Sequence, residues 1–108
     1  MKLMTKEIEK IFEKQGGLYA QEGLGLQSKV VVKYFAPAGA GTWLITAGER
    51  RGTDWLLYGY CYINCWEWGT VMLSELESVR LPFGLRIERE LYTKPLQYTV
   101  AELCKKGN

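Results

Sequence analysis

The chain contains no histidine among its 108 residues. This absence excludes serine and cysteine nucleophiles that an imidazole activates, and it excludes metal sites built on histidine ligands. The acids and bases that remain titrate far from neutral pH, so each would need a large pKa shift to act as a catalyst there. We therefore expect a protein that is not an enzyme, and we assign no catalytic residue.

The three cysteines, Cys61, Cys65 and Cys104, do not form a metal-binding or redox motif. Three residues separate Cys61 from Cys65, whereas zinc knuckles and redox motifs have two. An odd number of cysteines behind a charged N-terminus is typical of reduced thiols in the cytoplasm. We expect these cysteines to be buried as small apolar residues, and we expect no metal and no cofactor.

Long apolar runs and blocks of one charge are also missing. No apolar stretch approaches the roughly 20 residues that a membrane span needs. The 14 basic and 12 acidic residues give a net charge of +2 and are interleaved, which argues against a strong nucleic-acid footprint. The adjacent basic pairs, Arg50–Arg51 and Lys105–Lys106, are typical of a solvated turn and a chain end. The length fits one domain.

The N-terminal residues have the spacing of an amphipathic helix. Gly16 then ends the helix. The residues that 3–14 place on one face are Leu3, Met4, Ile8, Ile11 and Phe12. Docking of this face on the chain's own core is the preferred interpretation, although it could also pair with a second copy. Both a monomer and a homodimer are consistent with the sequence.

The middle of the chain has the pattern of an antiparallel meander of about four strands. Glycine-rich or polar turns separate the strands, and no helix-length connection lies between them, so a parallel sheet is not expected. After the strands, Ser74 and Glu77 have the spacing of a capping box, and Pro82 limits the helix that follows to about two turns. The fold class is α+β. The predicted strands are 29–35, 42–47, 53–63 and 65–73.

Five aromatic residues form the first candidate binding group. Because side chains alternate between the faces of a strand, a hairpin can place a row of tyrosines beside two tryptophans. Such residues pack a helix against a sheet, stack on nucleobases or flat ligands, or anchor a protein partner. Packing, with the N-terminal helix as the docked element, is the preferred interpretation. The residues are Tyr58, Tyr60, Tyr62, Trp66 and Trp68.

A dense set of alternating charges forms the second candidate group. It fits a set of salt bridges that braces the turn around Pro82, and it also fits an arginine fork for a carboxylate or phosphate. We carry Arg80, Arg86, Glu88 and Arg89 forward as candidate binding residues. The full set is Glu75, Glu77, Arg80, Arg86, Glu88, Arg89 and Glu90.

Six segments of the chain together have the pattern of a known family. They are KVVVKYFAP, TWLITAGE, LLYGY, EWGTVMLSELESVR, GLRIERELY and LYAQEGLGLQSK. These segments resemble the domain-of-unknown-function family 2958, and the resemblance covers about residues 18–97, with 1–17 as an N-terminal helical extension and 98–108 as a tail. Leu81-Pro82-Phe83-Gly84 replaces the usual Gly-Pro-Leu-Gly of the family, and the aromatic hairpin is peculiar to this chain.

The resemblance implies a bacterial protein of plasmids, phages and integrated elements, and it supplies no catalytic residues. Our leading hypothesis is a non-enzymatic accessory protein of a mobile genetic element that contacts a protein partner, for example in a host defence system. The first alternative is a nucleic-acid binding module that combines aromatic stacking with arginine contacts. The second alternative is a small-ligand binder or hydrolase that uses carboxylate and tyrosine groups, with Glu88 as the candidate carboxylate.

Overall fold

The computed structural model describes residues 1–104, which form an α+β fold. The Lys105–Lys106 pair lies outside the described residues. The elements are helix α1 (Lys6–Gln15), strands β1 (Val32–Phe35), β2 (Thr42–Arg51), β3 (Asp54–Tyr62) and β4 (Trp66–Met72), helix α2 (Leu73–Ser78), strand β5 (Glu88–Arg89) and helix α3 (Val100–Cys104). The sheet is antiparallel with strand order β4-β3-β2-β1-β5, so the predicted meander is confirmed and the two-residue strand β5 extends it beside β1.

Helix α1 has the predicted amphipathic character and the predicted glycine stop. It begins three residues later than expected, because Thr5 is its N-cap and accepts a hydrogen bond from the Ile8 N–H at 3.2 Å. Gly16 ends it in the left-handed conformation (φ 92°), which glycine adopts without strain. Ile8 and Phe12 are buried in the main core with Trp55. The helix therefore docks on its own sheet.

Close contact between α1 and the sheet depends on Gly48 of β2. A Cβ atom at this position would lie 2.8 Å from the Phe12 ring, so the ring rests directly on the strand backbone. The Gly48–Gly52 segment, predicted as a turn, instead continues β2 to Arg51. Its polar pattern has a structural reason: the Arg50 guanidinium lies 4.6 Å from the Trp55 ring centroid and pairs with Glu13 of α1 at 3.4 Å.

Strand β1 is shorter than the predicted strand 29–35, because the N-terminal half of that segment pairs with another part of the chain. Lys29 forms an isolated antiparallel bridge with Thr99, and the Val30 N–H donates to the Tyr98 carbonyl at 2.8 Å. These contacts join the segment to the C-terminal part of the chain, and β1 begins only at Val32.

Helix α2 forms at the predicted place, but its N-terminus is stabilised by different residues. Asp54 of β3 accepts hydrogen bonds from both the N–H and the hydroxyl of Ser74, and the Met72 N–H donates to Glu75 at 2.8 Å. The predicted capping box of Ser74 with Glu77 is wrong, because the helix begins at Leu73 and Ser74 already lies inside it. Leu76 of this helix is buried in the main core.

Candidate functional site: an apolar groove beside the aromatic ladder

The five predicted aromatic residues form a continuous row across β3 and β4, which we call the aromatic ladder. The register pairs Tyr62 with Trp66, Tyr60 with Trp68 and Tyr58 with Thr70. These residues therefore share one face of the sheet, because cross-strand partners point to the same side. The prediction that a hairpin places the tyrosine row beside the two tryptophans is confirmed.

The rings of the aromatic ladder are in direct contact. Tyr58 stacks on Trp68 at 5.6 Å between ring centroids, and Tyr60 stacks on Trp66 at 5.1 Å, both nearly parallel. Tyr62 meets the edge of Trp66 at 5.4 Å. Aromatic pairs of this kind contribute about 0.5–1.5 kcal/mol each beyond the area that they bury. The ladder is therefore a rigid surface.

Helix α3 packs on the aromatic ladder. Tyr60, Trp66 and Trp68 pack on a second small core that includes Val100 and Leu103 of this helix. The packing interpretation therefore holds for the ladder, but the expected element was wrong: α1 lies in the main core around Trp55. All five ladder residues remain half-buried, so part of each side chain is accessible.

An apolar groove of about 470 Å³ opens beside the end of the ladder where Tyr58 stacks on Trp68. Its sheet side consists of Thr46 from β2, Tyr58 from β3, and Trp68 and Thr70 from β4. Its other side consists of residues from the connector between α1 and β1, between positions 18 and 28. The volume lies within the roughly 300–1,000 Å³ of typical ligand pockets.

Gln21 holds the connector against the sheet. Its amide nitrogen donates to the carbonyls of Lys29 and Thr46, both at 2.8 Å, and its amide oxygen accepts from the Lys29 N–H at 2.6 Å. Thr46 is available for this contact because it is the extra residue of a β-bulge between the pairs Ile45–Gly59 and Ala47–Tyr58. Bulges often occur next to functional sites, where they redirect a strand.

The connector carries exposed apolar side chains at the groove and next to it. Tyr19 lines the groove and is 77% exposed, and Leu24 and Leu26 of the same connector are 51% and 43% exposed. Glu22, which is also exposed, is the one charged side chain in the groove lining. A large accessible tyrosine beside an apolar cleft is typical of a binding surface.

The predicted charged residues lie far from the aromatic ladder. Glu88 and Arg89 form β5 at one edge of the sheet, whereas Trp66 and Trp68 belong to β4 at the other edge. Four strand spacings of about 4.8 Å separate the two edges, or roughly 19 Å. Arg80 and Arg86 follow α2 in the segment that leads to β5. The structure therefore does not bring the aromatic and arginine candidates together into one surface.

The three arginines donate to backbone carbonyls. Arg86 donates to Glu77 at 2.8 Å, Arg80 to Ser78 at 3.1 Å and Arg89 to Lys2 at 3.1 Å. In residues 1–104, the salt bridges instead involve Arg50 and Arg51. The predicted set of salt bridges around Pro82 is therefore wrong, because Arg80 and Arg86 donate to main-chain oxygens of α2 and Arg89 donates to the N-terminal segment.

The perturbed thiol and hydroxyl groups are not suited to catalysis at neutral pH. Burial, with a smaller contribution from Glu67, raises the pKa of Cys61 to about 11. Burial also raises the pKa of Tyr34, whose hydroxyl donates to the Leu3 carbonyl at 2.7 Å. Cys61 and Cys104 are half-buried, but Cys65 is exposed in the turn between β3 and β4, so the expectation that all three cysteines are buried is wrong.

Two negative findings apply to the described part of the chain. No group of three or more cysteine and acidic side chains is placed to hold a metal ion within residues 1–104. Over the same residues, no helix has the length and apolar character needed to span a bilayer.

The sequence did not identify the groove residues Tyr19, Gln21 and Thr46. The available signal was the segment LYAQEGLGLQSK at 18–29, which carried part of the family resemblance without a structural role. Gln21 acts through backbone groups of Lys29 and Thr46, and no periodic pattern reports such a contact.

Comparison with known proteins gives one match. A family described as "Protein of unknown function (DUF2958)" matches residues 3–103, so the match includes α1 as well as the segment 18–97 that carries the resemblance. No curated protein and no solved structure shows significant similarity to the chain. Because the match covers nearly the whole sequence, the chain belongs to this family of proteins of unknown function.

Proposed function

We propose that this protein is a non-enzymatic accessory protein that binds a protein partner through the groove beside the aromatic ladder. The observation that carries the proposal is the stacked Tyr58–Trp68 pair, which forms a rigid apolar wall opposite the exposed Tyr19. Binding hot spots are enriched in tyrosine and tryptophan that are already ordered before the partner arrives. Gln21 supplies that order, because it fixes the connector on the sheet.

The chemistry of the groove supports recognition of an apolar side chain. Among its polar side chains, Gln21 and Thr46 already hydrogen-bond within the protein, and its charged side chain, Glu22, is exposed. A partner that inserts an apolar or aromatic side chain would remove apolar surface from water, which contributes about 25 cal/mol per Å² before ordering costs. The groove presents no pair of carboxylates for acid–base catalysis.

The biological setting of the proposal comes from the family resemblance. We propose a bacterial protein of plasmids, phages or integrated elements that acts in the cytoplasm, with a component of a host defence system as one possible partner. Cytoplasmic action is supported by the three free cysteines. Binding of a partner in the groove is compatible with both a monomer and a homodimer.

The test is affinity capture from nuclease-treated bacterial lysate with tagged wild-type protein, Tyr19→Ala and Tyr92→Ala. Tyr92 is a matched control, because it is an exposed tyrosine (90%) outside the groove lining. We expect a stoichiometric protein in the wild-type and Tyr92→Ala eluates that is lost with Tyr19→Ala. Mass spectrometry identifies the protein, and thermal unfolding of each variant verifies that the fold is retained.

Three outcomes would contradict the proposal. The first is equal capture by the wild type and Tyr19→Ala, and the second is loss of capture with Tyr92→Ala alone. The third is binding that requires nucleic acid and weakens steeply as salt rises, since this dependence is the signature of phosphate contacts.

A small flat ligand is the second candidate, and the size of the groove favours it. A volume of about 470 Å³ can hold a ring system against the outer face of the Tyr58–Trp68 pair. A fragment screen by NMR checks this candidate. Ligands that shift the amide signals of Thr46 and Thr70 but not those of Arg89 would support it.

A further inference from the structure

Strand β4 presents an open edge next to the groove. It is the outer strand of the sheet, it spans seven residues, and its pairing with β3 is continuous from Trp66 to Met72. The strand contains no lysine and no proline, and no bulge interrupts it. Natural sheets commonly use lysine, proline or a bulge to protect an exposed edge from pairing with another chain. The edge of β4 lacks this protection.

The direction of the free backbone groups follows from one hydrogen bond. The Met72 N–H points away from β3 and donates to the Glu75 side chain. Because the N–H and C=O groups of successive strand residues point alternately to the two sides, those of Thr70 and Trp68 also point outward. Within residues 1–104, no hydrogen bond from another element reaches these groups.

The outward groups and the groove form one continuous surface. Trp68 and Thr70 offer their backbone at the sheet edge, and their side chains line the groove on the face that carries the aromatic ladder. A strand added beside β4 would place every second side chain on the groove face, directly opposite Trp68 or Thr70. Main-chain pairing and filling of the groove can therefore occur together.

A second copy of this chain fits the surface poorly. Its Trp68 is held in its own ladder by stacking on Tyr58, so a β4–β4 pair could not insert this side chain into the neighbouring groove. Glu67 is also the one charged residue of β4, so a second β4 would bring no cation to face it. An extended segment of a different protein can supply both a side chain that enters the groove and a basic residue that faces Glu67.

We propose that β4 captures an extended segment of a protein partner by strand addition. The segment carries an apolar or aromatic side chain opposite Thr70, where it enters the groove, and a lysine or arginine near Glu67 or Glu22. Glu22 lies in the groove lining and Glu67 points to the opposite face of β4, so a basic residue of the added segment meets an acidic partner on either face. This inference rests on the proposed function and specifies its binding mode.

The test uses a displayed library of random peptides about ten residues long, enough to span β4. The library is selected on wild-type protein, and single peptides are then measured on Thr70→Pro and Thr70→Val. Proline removes the outward N–H without disturbing the β3 ladder, since Thr70 points this group away from β3. Valine keeps the N–H and removes only the hydroxyl.

We expect enriched peptides with apolar residues at alternate positions and at least one basic residue. Their affinity should fall roughly tenfold or more with Thr70→Pro, because a backbone hydrogen bond and its geometry are lost, and should fall clearly less with Thr70→Val, which alters the groove wall but keeps the N–H. Hydrogen exchange of the Trp68 and Thr70 amides should slow when the peptide binds. Unchanged melting of both variants verifies the fold.

Strand addition is overturned if no peptide is enriched, if enriched peptides bind Thr70→Pro as tightly as wild type, or if the Trp68 and Thr70 amides exchange unchanged. A peptide that depends on Tyr19 but not on the Thr70 amide would leave the proposed function intact and remove only its strand-addition mode. Self-association that Thr70→Pro abolishes, seen by sedimentation, would replace the partner segment with a second copy.

Discussion

Gly59 and Gly69 face each other across β3 and β4, but only Gly69 has room for a side chain. A Cβ atom at Gly59 would lie 2.0 Å from the Leu44 carbonyl oxygen and 2.8 Å from the Ile45 Cα atom. Both are backbone atoms, so no side-chain rotation can relieve the overlap. At Gly69 no atom lies within 4 Å of the corresponding position.

We therefore expect Gly59→Ala to lower the free energy of unfolding by about 3 kcal/mol or more, or to prevent folding. The physical reason is that β2 and β3 would have to separate where the Ile45–Gly59 pair precedes the bulge at Thr46. Urea unfolding followed by circular dichroism measures the change.

The control is Gly69→Ala, which we expect to alter the free energy of unfolding by about 1 kcal/mol or less. It introduces the same methyl group into the same strand pair, in open space. Equal effects of the two substitutions would show that the backbone contact at Gly59 is not the cause.

At the scale of single elements, helix α2 shows how a distant residue stabilises a helix start. Its first turn is held by Asp54, which lies 20 positions before Ser74 in the chain. The hydrogen bond from the Ser74 hydroxyl, followed by that from the Trp55 N–H, lowers the pKa of Asp54. The carboxylate is also favourably placed near the positive end of the helix dipole.

We expect Asp54→Asn to lower the melting temperature near neutral pH. The pKa of Asp54 is lower in the folded state than its ordinary value of 3.8. The stability that the Asp54 carboxylate contributes is therefore complete at pH values well above 3.8, and it is lost as the pH falls through the folded pKa. The difference in melting temperature between wild type and Asp54→Asn should therefore be constant from about pH 7 to 5 and shrink below about pH 4.

Glu77→Gln is the matched control for Asp54. Glu77 is the residue that sequence spacing assigned to the cap, and its side chain is exposed in the structure. A change from carboxylate to amide at this position should leave the melting temperature nearly unchanged at every pH. A pH-dependent loss with Glu77→Gln but not with Asp54→Asn would favour the capping box over the contact from β3.

The elements that were correctly predicted are those with local patterns. The helical spacing of Ile8 and Phe12 placed α1, and the alternation from Tyr58 to Trp68 placed the ladder on one face. The elements that were missed depend on distant partners: Gly48–Arg51 looked like a turn because its polar side chains serve contacts with α1 and Trp55. β5 has two residues, too few for a periodic signal.

At the scale of the whole molecule, α1 completes the main core. Leu3, Ile8 and Phe12 are each at least 96% buried, and the buried Tyr34 hydroxyl has the Leu3 carbonyl as its acceptor. Burial of three such side chains contributes about 2 kcal/mol each, a large share of the roughly 5–15 kcal/mol that stabilises a domain. The division into a helical extension (1–17) and a core (18–97) therefore invites a direct test.

We expect a chain that lacks residues 1–17 to lose cooperative thermal unfolding and to show weak near-ultraviolet circular dichroism. The cause is the loss of core side chains together with the Tyr34 acceptor. A synthetic peptide of residues 1–17, added in excess, should restore the native spectrum, whereas the same peptide with Phe12→Ala should not. A truncated chain that unfolds cooperatively without the peptide would contradict this expectation.

The groove is the part of the molecule that the sequence could not predict. It combines a connector, a bulge and two strands that are separated by up to about fifty positions, and its order depends on Gln21 reaching the backbone of Thr46. The ladder residues were found because they follow a simple period. The three arginines and Glu88 were grouped with them by residue type, and the strand order then placed Glu88 and Arg89 at the opposite edge of the sheet.

The stacking of the ladder also has an optical consequence. The near-ultraviolet transitions of a tryptophan depend on the ring stacked against it, so Tyr58–Trp68 and Tyr60–Trp66 should contribute to a structured near-ultraviolet circular dichroism spectrum. Trp68 is at the same time a wall of the groove. Any molecule that settles there changes the surroundings of this chromophore, so the protein carries its own label-free reporter of occupancy.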